Sequence, residues 1–211
     1  MGDFEQVSVT LQSGSNIRID AWSGHGTAQA VVIVAPGTTA DDWSQFASNL
    51  VLSHVPVLAH VSSYYELILL IWKIGEPVLL VSQGEEAAHW VARTMSSALG
   101  AVSKIVICDG DIPSDQVESV PVVSTLVLRG RQSTLMSHTT AVLLHERLVQ
   151  SMLVELEHCS DFPANDNPTS AAAAVNMFIT RSGSSDDYDP AQEPVDPKSF
   201  KSTPSVRSMT S

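Results

Sequence analysis

The stretch PVLLVSQGEEAAHWVA, Pro77 to Ala92, decides the fold. Pro77 to Val81 is a short all-apolar run of strand length, as expected of a strand covered on both faces. Ser82-Gln83-Gly84 reads as a sharp turn. Glu85 then opens a segment with apolar residues at helical spacing, and acidic residues suit a first helical turn. A buried strand that turns at once into a helix is a unit of a parallel sheet with crossover helices.

The flanking sequence repeats the unit. Before it, Phe4 to Leu11 and Ile17 to Trp22 alternate apolar and polar residues around Ser13-Gly14-Ser15-Asn16, which predicts a β-hairpin. Gly24 to Thr27 reads as a loop. Val31 to Val34 is a buried strand ended by Ala35-Pro36-Gly37. Trp43, Phe46, Ala47 and Leu50 then recur at helical spacing, behind cap candidates from Thr38 to Asp42. Val55 to Val61 predicts a strand, and Tyr64 to Ile74 a helix stopped by Gly75. After the central unit, whose helix should end near Gly100, Val102 to Cys108 predicts a strand. Pro113 to Val120 is a short connection. Val122 to Leu128 is the next strand. Thr140 to Gln150 is a helix with Val142, Leu143, Leu144 and Leu148 inward. Met152 to Leu156 is the last strand, His158 to Pro168 a loop, and Ser170 to Ile179 the last helix.

Composition narrows the function classes. The chain has 211 residues, 44% of them hydrophobic, enough for one sizeable core. Its net charge is −12, with 11 Lys and Arg. Nucleic acid and anionic membrane are poor partners for such a surface. The longest apolar run, Leu67 to Trp72, is too short to span a bilayer, and MGDFEQVSV lacks the basic and apolar regions of a secretory signal. Two cysteines, Cys108 and Cys159, follow no metal or disulfide spacing, which suits a reducing, cytoplasmic setting. His25, His54, His60, His89, His138 and His145 show no metal spacing either, so no metal or cofactor is expected. Residues 1–180 read as one domain. Residues 181–211 are rich in Ser, Pro and Asp and too poor in apolar residues for a core, so a disordered tail is expected.

In the order and character of its elements, over about residues 4 to 180, the chain resembles the α/β-hydrolase superfamily. The resemblance implies a three-layer α/β sandwich of about eight strands, mostly parallel after the hairpin. Ala35-Pro36-Gly37 stands where such hydrolases carry an oxyanion loop. Ser160-Asp161-Phe162-Pro163, then Asn167-Pro168, then a helix to Phe178, is similar to the family's terminal Gly-His-Phe-Pro pattern. The catalytic letters differ. The resemblance places Gly84 at the nucleophile position, Ser133 at the acid position and Asp161 at the histidine position. Glycine has nothing to attack with, a serine cannot stabilise an imidazolium, and a carboxylate cannot replace an imidazole as base. The lid is also absent, with about ten residues joining Asp111 to Val122. The expectation is a catalytically degenerate member, a pseudoenzyme that binds another protein or a small ligand.

A shifted register gives the alternative. Ser82-Gln83-Gly84 supplies S-x-G, His158 a base, and Asp109 or Asp111 an acid, which together make a small esterase or thioesterase. A His158/Asp109 dyad without a serine nucleophile is a third reading. Helix phase argues for Gly84. With Gly84 at the turn, Ala87, Trp90 and Val91 face the sheet; with Ser82 there, Glu85, Ala88 and His89 do, and burying charge is costly. Cys159 beside His158 is a weak nucleophile candidate, since adjacent side chains near a strand end point apart. Pro36, Gly37, Thr38, His60, Gln83 and Asp161 are the ligand-pocket candidates, with His60 expected to meet Asp161 at the carboxyl edge of the sheet.

Overall fold

The computed structural model describes residues 4–22, 29–51, 54–98, 100–117 and 122–181. The elements in chain order are β1 (Phe4–Thr10), β2 (Asn16–Trp22), β3 (Gln29–Val34), α1 (Ala40–Ser48), β4 (His54–His60), α2 (Tyr64–Ile74), β5 (Val78–Gln83) and α3 (Gly84–Ser97). Then follow β6 (Val102–Cys108), α4 (Ser114–Val117), β7 (Ser124–Gly130), α5 (His138–Arg147), β8 (Ser151–Leu156), α6 (Pro163–Asp166) and α7 (Pro168–Arg181). One sheet runs β1-β2-β4-β3-β5-β6-β7-β8. The β1–β2 and β2–β4 pairs are antiparallel and the rest parallel. This is the expected α/β sandwich of eight strands, opened by a hairpin.

Its two faces are filled separately. Val32, Val34 and Leu80 point to one face, against Leu67, Leu70, Ile71, Ala87, Val91 and Met95 of α2 and α3. Val31, Ile33, Leu79 and Val81 point to the other, against Trp43 and Phe46 of α1 and Ala171, Val175 and Phe178 of α7. The continuous apolar runs of β3 and β5 follow from this double coverage. Burying a large apolar side chain contributes about 1.5–3 kcal/mol. Trp43 and Phe46, both wholly buried and edge-on to each other at 5.4 Å, therefore anchor α1.

Local chemistry sets the helix ends. Thr39 opens α1 with its N–H and hydroxyl both donating to Asp42 Oδ2, at 2.8 and 2.9 Å. Ser63 caps α2 by accepting from Glu66 N at 3.3 Å, and Gly75 ends it at φ +77°.

Several expectations need correction. β5 runs on to Gln83 instead of ending at Val81, so Ser82 lies within a strand and the turn is confined to Gly84. In α5 Leu143 is half exposed, because Ala141 and Leu144 take the inward positions. The Pro113–Val120 connection contains α4, and the loop after His158 contains α6, with Pro163 in its first turn. Arg181, assigned to the tail, closes α7. The rest of the expected tail, 182–211, and the expected loop at 24–27 lie outside the described residues. No helix among the described residues is long and apolar enough to cross a membrane.

Candidate functional site

The carboxyl edge of the sheet is organised around the β5–α3 turn. Gly84 begins α3 with φ +80°, a backbone conformation glycine adopts without the steric cost of a Cβ. Ala87, Ala88 and Val91 are buried against the sheet, while Glu85 and Glu86 are exposed. The helix phase thus places Gly84, and not Ser82, at the turn. Gly110, after β6, backs it closely: a Cβ there would meet Gly84 O at 2.4 Å.

Ser82 is wholly buried, and its hydroxyl donates across the sheet to Val106 O at 3.3 Å. His158, at φ +56°, is exposed in the turn after β8. Among the described residues no hydrogen bond joins His158 to Ser82, Asp109 or Asp111. Asp109 instead accepts from Gly130 N at 3.1 Å, and Asp111 from Arg147 Nη2 at 3.4 Å. Cys108 and Cys159 are both buried, and burial pushes both thiols up, Cys159 to about 11. That leaves little thiolate at neutral pH.

Ser133 and Asp161 are bonded to each other, and Gly84 adjoins them through its neighbour Gln83. The Ser133 hydroxyl donates to Asp161 Oδ1 at 2.9 Å. The same carboxylate accepts from Thr134 N at 2.6 Å, Thr134 Oγ1 at 2.8 Å and Leu135 N at 3.0 Å. Burial disfavours the Asp161 anion. The Thr134 hydroxyl, the Leu135 N–H, the Ser133 hydroxyl and the Thr134 N–H outweigh that and hold its carboxyl below the usual range. Gln83, at the end of β5, donates from Nε2 to Asp161 O at 2.6 Å. Gln83 Oε1 is buried with no partner among the described residues.

Asp109 is the buried acid of the site, held at φ +44° with no solvent exposure. Burial raises its carboxyl to about 6, against the lowering effects of the Gly130 N–H, the Ser133 hydroxyl and Arg129, while Asp161 adds to the rise. The sign follows. The unfolded chain ionises first, so the folded state loses stability as pH rises from about 4 to about 6, and the loss is constant above that. Asp109→Asn keeps an acceptor for Gly130 N–H, tolerates positive φ and removes the penalty. It is expected to stabilise the protein by roughly 1–2 kcal/mol at about pH 7.5, with no gain near pH 4. Guanidinium denaturation at both pH values measures this; an equal gain at both would show that the ionisation of Asp109 is not its source.

The predicted meeting of His60 with Asp161 does not occur. His60 closes β4 and pairs instead with Asp20 of β2, its Nε2 donating to Asp20 Oδ2 at 2.5 Å. Asp20 is buried and also accepts from Gln6 Nε2 at 3.1 Å. Arg18, opposite His60 in the β2–β4 register, brings Nη2 to 3.1 Å from His60 Nε2 and 3.3 Å from Nδ1. Burial opposes the Asp20 anion, but the bonds from His60 and Gln6 and the charges of His60 and Arg18 hold its carboxyl below the usual range.

His60 borders a cavity of about 360 Å³, walled by residues 34–37 and 59–62 and by Glu86 and Trp90 of α3. The cavity unites Pro36, Gly37 and His60 of the expected pocket and leaves out Thr38, Gln83 and Asp161. Thr38 is engaged elsewhere, its hydroxyl donating to Ala35 O at 2.8 Å and accepting from Trp43 Nε1 at 3.0 Å. Sequence reasoning missed Asp20, Glu86 and Trp90. For Asp20 the signal was present, a carboxylate spaced two residues from Trp22 on one strand face. Among the described residues no group of three or more His, Cys, Asp or Glu side chains is placed to hold a metal ion.

No protein-family model matches the sequence, and no curated protein is similar to it in sequence. Solved structures are similar in fold. The esterase domain of a Rhodothermus marinus protein matches at TM-score 0.71 and 8% identity, over 85% of this chain and 98% of that one. A thermophilic esterase from Thermogutta terrifontis matches at 0.69 and 11%, over 84% and 98%. A serine hydrolase involved in carbazole degradation matches at 0.71 and 12%, over 85% and 100%. The chain has the α/β-hydrolase fold. Identities this low establish the fold and nothing finer about the chemistry.

Proposed function

We propose that this chain is a non-catalytic protein of the α/β-hydrolase fold, which binds another protein or a small ligand in the cytoplasm. One observation carries the reading. The residue at the turn is Gly84, which has no side chain, while Ser133 and Asp161 are hydrogen-bonded to each other. An acyl-transfer site needs a nucleophile within reach of a base, and the base oriented by a third group. Glu85 and Glu86 add negative charge beside the Gly84 turn, where an oxyanion would need donors. The two free thiols suit a reducing compartment, and the acidic surface fits a protein or cationic partner better than nucleic acid.

A serine hydrolase using Ser82 and His158, with Asp109 or Asp111, is the second reading, favoured by what the similar structures are: esterases and a serine hydrolase. It requires Ser82 to leave the interior of a strand and His158 to turn inward. The His158/Asp109 dyad requires the same of His158 and also frees Asp109 from Gly130. A fluorophosphonate probe separates these readings. Wild-type protein is expected to remain unlabelled. Labelling that disappears in Ser82→Ala would establish the shifted register, and labelling that survives it would reveal another nucleophile. Either outcome ends the non-catalytic reading.

A further inference from the structure

The cavity beside His60 has a chemical character of its own. Glu86 lies in the first turn of α3 and makes no hydrogen bond or ion pair among the described residues, although it lines the cavity. Trp90, one helical turn on, lines the same cavity and packs its inner edge on the core. Residues four apart on a helix share a face, so a carboxylate and an indole stand together on one wall. His60 lines the cavity as well, with its Nε2 bonded to Asp20 and Arg18 Nη2 within 3.3 Å of both ring nitrogens. Ser62 is committed too, its N–H and hydroxyl both donating to Glu66 Oε2 at 2.7 and 2.8 Å. Among the described residues no lysine or arginine lines the cavity, and the one charge there without a partner is negative. A cation beside an indole gains from its quadrupole, and gains more when partly desolvated. A cavity of about 360 Å³ suits a small organic molecule.

We propose that this cavity binds a small organic ammonium compound, its charge paired with Glu86 and its hydrocarbon part laid against Trp90. The inference goes beyond the non-catalytic reading and does not depend on it, since neither Glu86 nor Trp90 belongs to the Gly84–Ser133–Asp161 group.

Benzyltrimethylammonium is the probe, titrated into the full chain by calorimetry and followed by ¹H–¹⁵N spectra. Benzyl alcohol and benzoate are the neutral and anionic comparisons. Saturable one-to-one binding of the cation is expected, with shifts at Gly37, His60 and the Trp90 indole. Glu86→Gln, at an exposed position, should leave the melting temperature unchanged and weaken binding on the order of five-fold; Trp90→Leu should weaken it by a similar factor. The proposal fails if the cation does not saturate, or if Glu86→Gln binds it as well as wild type. It fails equally if benzyl alcohol binds as tightly, or if benzoate is preferred, which would show that Glu86 does not set the charge preference of the cavity. Fluorophosphonate labelling leaves this result untouched, so the two proposals fail separately.

Discussion

Gly130→Ala is expected to remove roughly 4 kcal/mol or more of stability, enough to leave little folded protein at 37 °C if the total is in the ordinary range of about 5–15 kcal/mol. A Cβ on Gly130 would lie 1.9 Å from Ser160 O, 2.8 Å from Cys159 O and 2.9 Å from Cys159 C. All three are backbone atoms, so no side-chain rotation relieves the clash. Retreat is blocked on both sides. Gly130 N–H donates to Asp109, and Gly130 O accepts from Ser133 N at 3.0 Å. The opposing segment is held as well, since Arg131 N donates to Leu156 O at 2.9 Å and Gln132 N to Cys159 O at 2.8 Å. Separating the two segments would break bonds that carry Ser133 and Asp161. Gly84→Ala is the control. Its Cβ meets nothing within 4 Å, and the positive φ costs about 1–2 kcal/mol. Thermal melts should show Gly130→Ala lower than Gly84→Ala by about 5 °C or more. A Gly130→Ala protein that melts like Gly84→Ala would show that this contact relaxes freely.

That contrast also shows what was legible in the sequence. Apolar periodicity located α2 (Tyr64–Ile74) and β6 (Val102–Cys108) to the residue, because both are bounded by strong local signals: Ser63 and Gly75 for the helix, Asp109-Gly110 for the strand. The sequence ends β5 two residues early, because Ser82 and Gln83 look like turn residues. Their tertiary partners, Val106 O and Asp161 O, allow them to sit at the strand end. The sequence turns Leu143 inward because four consecutive apolar residues, Ala141 to Leu144, do not declare the phase of a helix.

The site was legible to the extent that it follows chain order. Gly84, Ser133 and Asp161 each follow a strand, and order plus strand length places them at one edge. Their mutual bonding was not legible, because it depends on how the 131–137 loop folds over Asp161. Nor was the pairing of Asp20 with His60, which are 40 residues apart and brought together by the antiparallel β2–β4 register. Burial exposes such a partner: a carboxylate in a covered strand has to find a donor.

His60→Ala follows from that pairing, with an expected loss of roughly 2–3 kcal/mol. Removing one member of a fully buried ion pair costs about 3–5 kcal/mol, because the remaining charge is stranded. Asp20 is 2% exposed, so most of that cost applies; the His60 side chain is 22% exposed, and Arg18, with its Nε already 3.9 Å from Asp20, can compensate in part. The loss should depend on pH with a definite sign. The Asp20 carboxyl is held below its ordinary range, so its contribution is present above the unfolded value near 4 and fades as pH falls through the lower folded value. The part of that loss carried by the Asp20 carboxylate should therefore shrink as pH falls through the Asp20 range. Asp20→Asn in the His60→Ala background should recover much of the loss, because an amide is far less costly to bury unpaired than a carboxylate. Guanidinium denaturation of wild type, both single variants and the double variant gives the coupling directly. Additive losses would mean that Asp20 draws nothing from His60 and that Gln6 and Arg18 alone keep its charge.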